Sequence, residues 1–224
     1  MSENESMKEH ENIDHLIDEL TGELTPVHRL WSPWVRAGLW IGLLLAVAAY
    51  FSMTTDVAAM LQRLGAAADM WLSVVGSAAT AILAGVAVFQ LSLPDRSPRW
   101  ALLPLPGAIL WIGASGMGCL RVLIEPASGH IAVADPNDCF IFIVGMSIPL
   151  SIIMIWMLRR AYTLRPNLTA IVGGLAVASA AATLLNFVHP FNVTISDLAV
   201  HALAITIVVS ANRLLGGNLL NPAK

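Results

Sequence analysis

The sequence predicts an all-α integral membrane protein: a six-helix transmembrane bundle with a short cytoplasmic N-terminal amphipathic helix and both termini in the cytoplasm. Three observations predict it. Of 224 residues, 57% are hydrophobic and only 12% are charged, whereas a soluble domain carries about 25% charged residues. The apolar residues gather into six stretches near the length that crosses a bilayer. The Lys and Arg between those stretches fall almost wholly on one side. So little charge excludes a soluble enzyme, a basic nucleic-acid-binding domain and a disordered chain.

The chain opens on an acidic leader. Eight of the 15 acidic residues lie in the first 23 positions beside a single Lys8, so this segment carries −7 against −3 for the whole chain. A signal peptide would begin with a basic region followed at once by an apolar core, and this segment has neither. Within it, Ile13, Leu16, Ile17, Leu20 and Leu24 recur at helical spacing, with Asp14, Asp18, Glu19 and Glu23 on the opposite face. Gly22 and Pro26 end the helix. An isolated helix of this length is marginal in water, so the stripe needs a surface. An acidic polar face is poorly suited to anionic lipid, and the short internal loops offer no groove. The remaining surface is a partner protein with an apolar groove rimmed by basic residues.

The six spans are expected at 37–53, 70–93, 100–120, 140–158, 168–188 and 195–215. Pro104 and Pro106 fall in the first turns of the third, and Pro149 lies inside the fourth. With the N-terminus inside, the cytoplasmic side holds Lys8, Arg29, Arg36, Arg96, Arg99, Arg159, Arg160, Arg165, Arg213 and Lys224, leaving only Arg63 and Arg121 outside. Trp31, Trp34, Trp100, Trp156 and Tyr162 then form the inner aromatic belt, with Tyr50 and Trp71 at the outer one. The resulting division is a cytoplasmic arm (1–35), a transmembrane domain (36–215) and a cytoplasmic tail (216–224). Rows of small residues spaced by four, Ser77, Ala81 and Gly85 in the second span and Gly174, Ala178 and Ala182 in the fifth, predict close helix contacts.

The span interiors hold almost no ionisable residues, whereas a carrier or pump needs them at depth. Gln90 and Asn186 are polar but lie within about a turn of a boundary. No phosphate-binding loop or nucleophile elbow is present. The glycine-rich run at 113–118 (GASGMG) lies within a span and reads as packing. No catalytic role is expected. A small multi-pass transporter, or a membrane metal or redox protein, is the rival reading.

The outer ends of the spans carry Cys119, Asp138, Cys139, His189, Asp197 and His201. Asp197 and His201 form an i, i+4 pair. Three chemistries are open to this set: a disulfide across a loop of about 20 residues, a copper or zinc site at the periplasmic face, or ordinary packing and helix-end groups.

The order of segments carries a family resemblance. LIDEL at 16–20 and LTPVHRLWSPWVR at 24–36 lead into the spans. The stretch from DCFIFIVG to NFVHP follows at 138–190, and the LRR-x3-LRP segment at 158–166 is its most specific part. The chain resembles the NrsF family of membrane anti-sigma factors, negative regulators of extracytoplasmic-function sigma factors related to sigma F. That resemblance implies a sigma factor held at the bacterial inner membrane by the cytoplasmic N-terminal segment, with no direct contact to nucleic acid. It further implies periplasmic sensing of metal or oxidant stress through two cysteines. Cys139, before Phe140, matches the first. The place of the second is held here by His189, before Pro190, so either Cys119 supplies the other thiol or Cys139 and His189 form a metal site.

Overall fold

A computed structural model describes residues 3–22, 30–66, 68–124, 136–161, 163–188 and 195–220. Among the described residues the regular structure is helical, with no strand. The chain divides into two units, Met1–Leu30 and Trp31–Lys224. The first contains α1, Glu3–Gly22. This helix begins ten residues ahead of the apolar stripe, because the polar run before Ile13 contains neither Gly nor Pro to stop it.

The second unit holds six helices long and apolar enough to cross a membrane. Five of the corresponding helices are α2 (Pro33–Thr54), α4 (Ala68–Leu91), α5 (Leu105–Ile124), α6 (Pro136–Leu158) and α7 (Pro166–Val188). The sixth is α8 (Ile195–Ala211), continued by a π-helical turn at Asn212–Gly216. All six expected spans are present, each within a few residues of its expected limits. The chain is thus a multi-pass membrane protein.

Local chemistry sets the boundaries. Ser32 caps α2 by accepting from the Val35 amide (3.3 Å), and Pro33 follows at the first helical position, where its missing N–H costs nothing. The third span starts as a 3-10 turn at Pro98–Leu102 capped by Ser97. Pro104 and Pro106 stand at its junction with α5, where a first turn tolerates them. One element was not anticipated: the connection after α2 folds into α3 (Val57–Ala66), started by the Asp56 carboxylate accepting from the Ala59 amide (3.0 Å). Met60 and Leu64, one turn apart, are buried while Leu61 is exposed. This one-sided pattern is too short to register as a span.

Small residues decide the arrangement. Lipid is as apolar as leucine, so helices associate where backbones come close. The small-residue helix α7 is accordingly central, with 78% of its membrane window buried, against 11% for α2. It packs on α4, α6 and α8; α4 also receives α5, and α2 lies against α4 and α7. At Gly174 a Cβ would come within 2.9 Å of the Val209 backbone on α8, and at Gly85 within 2.5 Å of the Trp40 ring. Both small-residue rows therefore mark real close approaches. Gly174→Val should weaken the fold by about 1–3 kcal/mol, since the neighbour is backbone and cannot step aside. Unfolding in mixed micelles followed by tryptophan fluorescence checks this.

The helices alternate in direction, so their ends form two layers. One, the basic end, collects the start of α2, the ends of α4 and α6 and the start of α7, with Arg96, Arg99, Arg159, Arg160 and Arg165 exposed. The other carries Cys119 and Cys139. Trp31, Trp34 and Trp156 lie exposed near the basic end, and Tyr50 and Trp71 near the opposite one. Tyr162 lies outside the described residues.

Candidate functional site

Two regions were singled out from sequence. On α1, every residue from 12 to 22 is exposed. Ile13, Leu16, Ile17 and Leu20 are 48–61% exposed, on a helix whose other face carries Asp14, Asp18 and Glu19. Leu24 and Glu23 lie outside the described residues. Four apolar side chains in register on an exposed helix are the pattern that helix-in-groove recognition uses.

The second region is the cysteine end. Cys139 sits in the first turn of α6 and is wholly buried, packed with Ile143 on its own helix, Ala181 and Leu185 on α7 and Ala204 on α8. Cys119, near the end of α5, is half-buried, and both cysteines are thiols. The principal neighbour of α5 is α4, with a smaller contact to α8, while α6 packs on α7 and α8; among the described residues packed around Cys139, Cys119 does not figure. His201 is half-buried on α8 and Asp138 is exposed beside Cys139. His189 and the Asp197 side chain lie outside the described residues.

Thiol and imidazole are suitable donors for copper or zinc. Among the described residues, however, no three His, Cys, Asp or Glu side chains gather. What the structure does bring together is a closely packed thiol at the meeting of α6, α7 and α8.

Sequence reasoning missed two polar features. The first is Arg36, read as an interface cation and found only 4% exposed. Its Nη1 donates to Ser92 Oγ (3.1 Å), at the end of α4, and its Nη2 to the Met157 carbonyl oxygen (2.6 Å), at the end of α6. The guanidinium also lies 5.0 Å from the Phe89 ring centroid. No carboxylate among the described residues pairs with it. Its charge is met instead by the negative ends of two helices and an aromatic face. A position one turn inside a capped helix is what snorkelling predicts too, so sequence alone carries no signal to separate the two.

The second is a polar seam between α4 and α5 at the cysteine end. Arg121 donates to Asp69 Oδ2 (3.0 Å), and Ser73 and Ser115 share a hydrogen bond of 3.0 Å one turn deeper. Opposite charges at the facing ends of consecutive spans were the available signal.

These features define a class: a compact membrane domain whose interior, among the described residues, lacks buried carboxylates, joined in sequence to an exposed amphipathic helix that offers an adhesive stripe. The chain belongs to the NrsF family, negative regulators of sigma F, whose model matches residues 20–221. The match covers nearly all of the membrane domain but only the last residues of α1. No curated protein and no solved structure matches the chain.

Proposed function

We propose that the protein is a non-enzymatic anti-sigma factor of the bacterial inner membrane, with both termini in the cytoplasm. Its arm (1–35) captures an extracytoplasmic-function sigma factor. Ile13, Leu16, Ile17, Leu20 and Leu24 enter an apolar groove, and Asp14, Asp18 and Glu19 face its basic rim. The membrane domain (36–215) senses periplasmic metal or oxidant stress around Cys139 and His189, with Cys119, His201, Asp138 and Asp197 at the same end. Segment 216–224 is a cytoplasmic tail.

The observation that carries this reading is the exposed apolar stripe of α1, set beside the chain's membership in a family of sigma-factor regulators. The basic end, rich in arginine, supports the orientation. The test is co-purification of a sigma factor with the full-length protein. Capture that depends on α1 supports the reading, and a protein that repeatedly purifies without any sigma factor overturns it.

For the sensor, Cys139→Ser keeps the size of the side chain but not its redox or metal chemistry. Induction of a sigma-dependent reporter by copper(II) or hydrogen peroxide should be lost while uninduced repression holds. Unchanged induction by both agents removes Cys139 from the sensor.

A further inference from the structure

We propose that α2 is the element that carries the state of the Cys139 pocket to the arm, because α2 is clipped to α6 at both ends and is otherwise the most loosely held span. Near the cysteine end, the Phe51 ring of α2 meets the Phe142 ring of α6 at 5.8 Å between centroids. Phe142 lies one turn from Cys139 and packs against the cluster of Cys139, Ile143, Ala181, Leu185 and Ala204. At the basic end, Arg36 of α2 donates to the Met157 carbonyl of α6. The 15 residue steps from Phe142 to Met157 make α6 a rod of about 22 Å joining the two clips.

Between the clips α2 is weakly bound. Only Arg36, Ala37 and Trp40 are buried on it, and an element with few buried contacts is the one a small perturbation shifts. Its first turn begins at Pro33, directly after the leader that bears α1. Pro149 interrupts the hydrogen-bond ladder of α6 between the clips, leaving the Gly145 carbonyl without its usual amide partner and the rod a place to bend. A change in the Cys139 pocket therefore reaches α2 by two contacts, one through Phe142 and one through the end of α6. Whatever moves the first turn of α2 moves the attachment of the arm.

The coupling to sigma release rests on the reading of α1 as the capturing element, so its test has a second readout that does not. Cys139→Leu wedges the pocket open without any stimulus, since the site is fully buried. In the full-length protein in nanodiscs, this wedge should speed amide exchange over residues 33–40 and weaken sigma binding about fivefold or more. Phe51→Ala and Arg36→Lys each break one clip, and combined with the wedge they should give strongly non-additive effects on both readouts. If Arg36→Lys does not fold, Phe51→Ala combined with the wedge carries the test alone. Ser92→Ala, which removes the Arg36 bond at the end of α4 but leaves the Met157 clip in place, is the control whose effect should simply add to that of the wedge. Additive effects on exchange overturn the coupling, whatever sigma does. Coupled exchange with sigma binding indifferent to Leu16→Asp leaves the α2 relay standing and removes the α1 reading instead.

Discussion

Replacing Leu16 by Asp should lower sigma-factor affinity by more than about 100-fold in the full-length protein if the arm is the capturing element proposed above, the largest functional effect expected of any single change in it. Leu16 is at the middle of the stripe, with Ile13 and Leu20 one turn to either side. Burying a leucine side chain contributes about 1.5–3 kcal/mol, and an aspartate in the same groove adds the desolvation of an unpaired carboxylate. Together these exceed about 3 kcal/mol, and each 1.4 kcal/mol is tenfold. Titration of the purified protein with the sigma factor measures it. Asp18→Asn supplies the contrast, because a rim charge alters association rate and salt dependence more than the lifetime of the complex. Equal affinities for wild type and Leu16→Asp would place the binding surface elsewhere.

Arg36→Ala should destabilise the membrane domain by about 3 kcal/mol, the largest stability effect expected of an arginine among the described residues. The losses are two charge-assisted hydrogen bonds, the contact with the Phe89 ring and the packing of a buried stem. Against them stands relief of the cost of holding a guanidinium out of water. The losses prevail because both acceptors remain in place, and the Met157 carbonyl at the end of α6 is left without its donor. Unfolding in mixed micelles of increasing denaturing-detergent content, read by tryptophan fluorescence, gives the difference. The exposed Arg96 and Arg99 provide the comparison: alanine at either should change stability by less than about 0.5 kcal/mol. An Arg36→Ala protein as stable as wild type would mean that the helix ends at this corner are met by water instead.

The membrane spans were legible because bilayer thickness imposes a length on every crossing helix, and apolar runs of that length seldom arise in chains that stay in water. Their limits were less legible. The first span was expected from residue 37, whereas the Ser32 cap and Pro33 start its helix a turn earlier. The third was expected from residue 100, whereas its α-helix starts at Leu105 after Pro104. The stripe of α1 was legible from periodicity alone. The short helix α3 was not, since ten residues between two spans read as a connection. The convergence expected at the cysteine end was legible only as a shared depth. Depth says which residues lie in one layer, but lateral neighbours depend on which helices touch. Cys119 on α5 and Cys139 on α6 occupy the same layer, but Cys119 is not among the described residues packed around Cys139.

By itself the sequence determined that the chain is a six-span membrane protein with an acidic amphipathic leader, for composition, length and periodicity are local properties and the bilayer reads them locally. Tertiary structure decided the rest. It placed α7 at the centre, put Arg36 between the ends of α4 and α6, buried the Cys139 thiol among three helices, and joined α2 to α6 at Phe51 and at Arg36. Each of these depends on residues far apart in the chain meeting side by side in lipid, where close backbone approach, not hydrophobicity, selects the neighbours. A hydropathy pattern states how deep a residue lies. Only the packed bundle states what lies beside it.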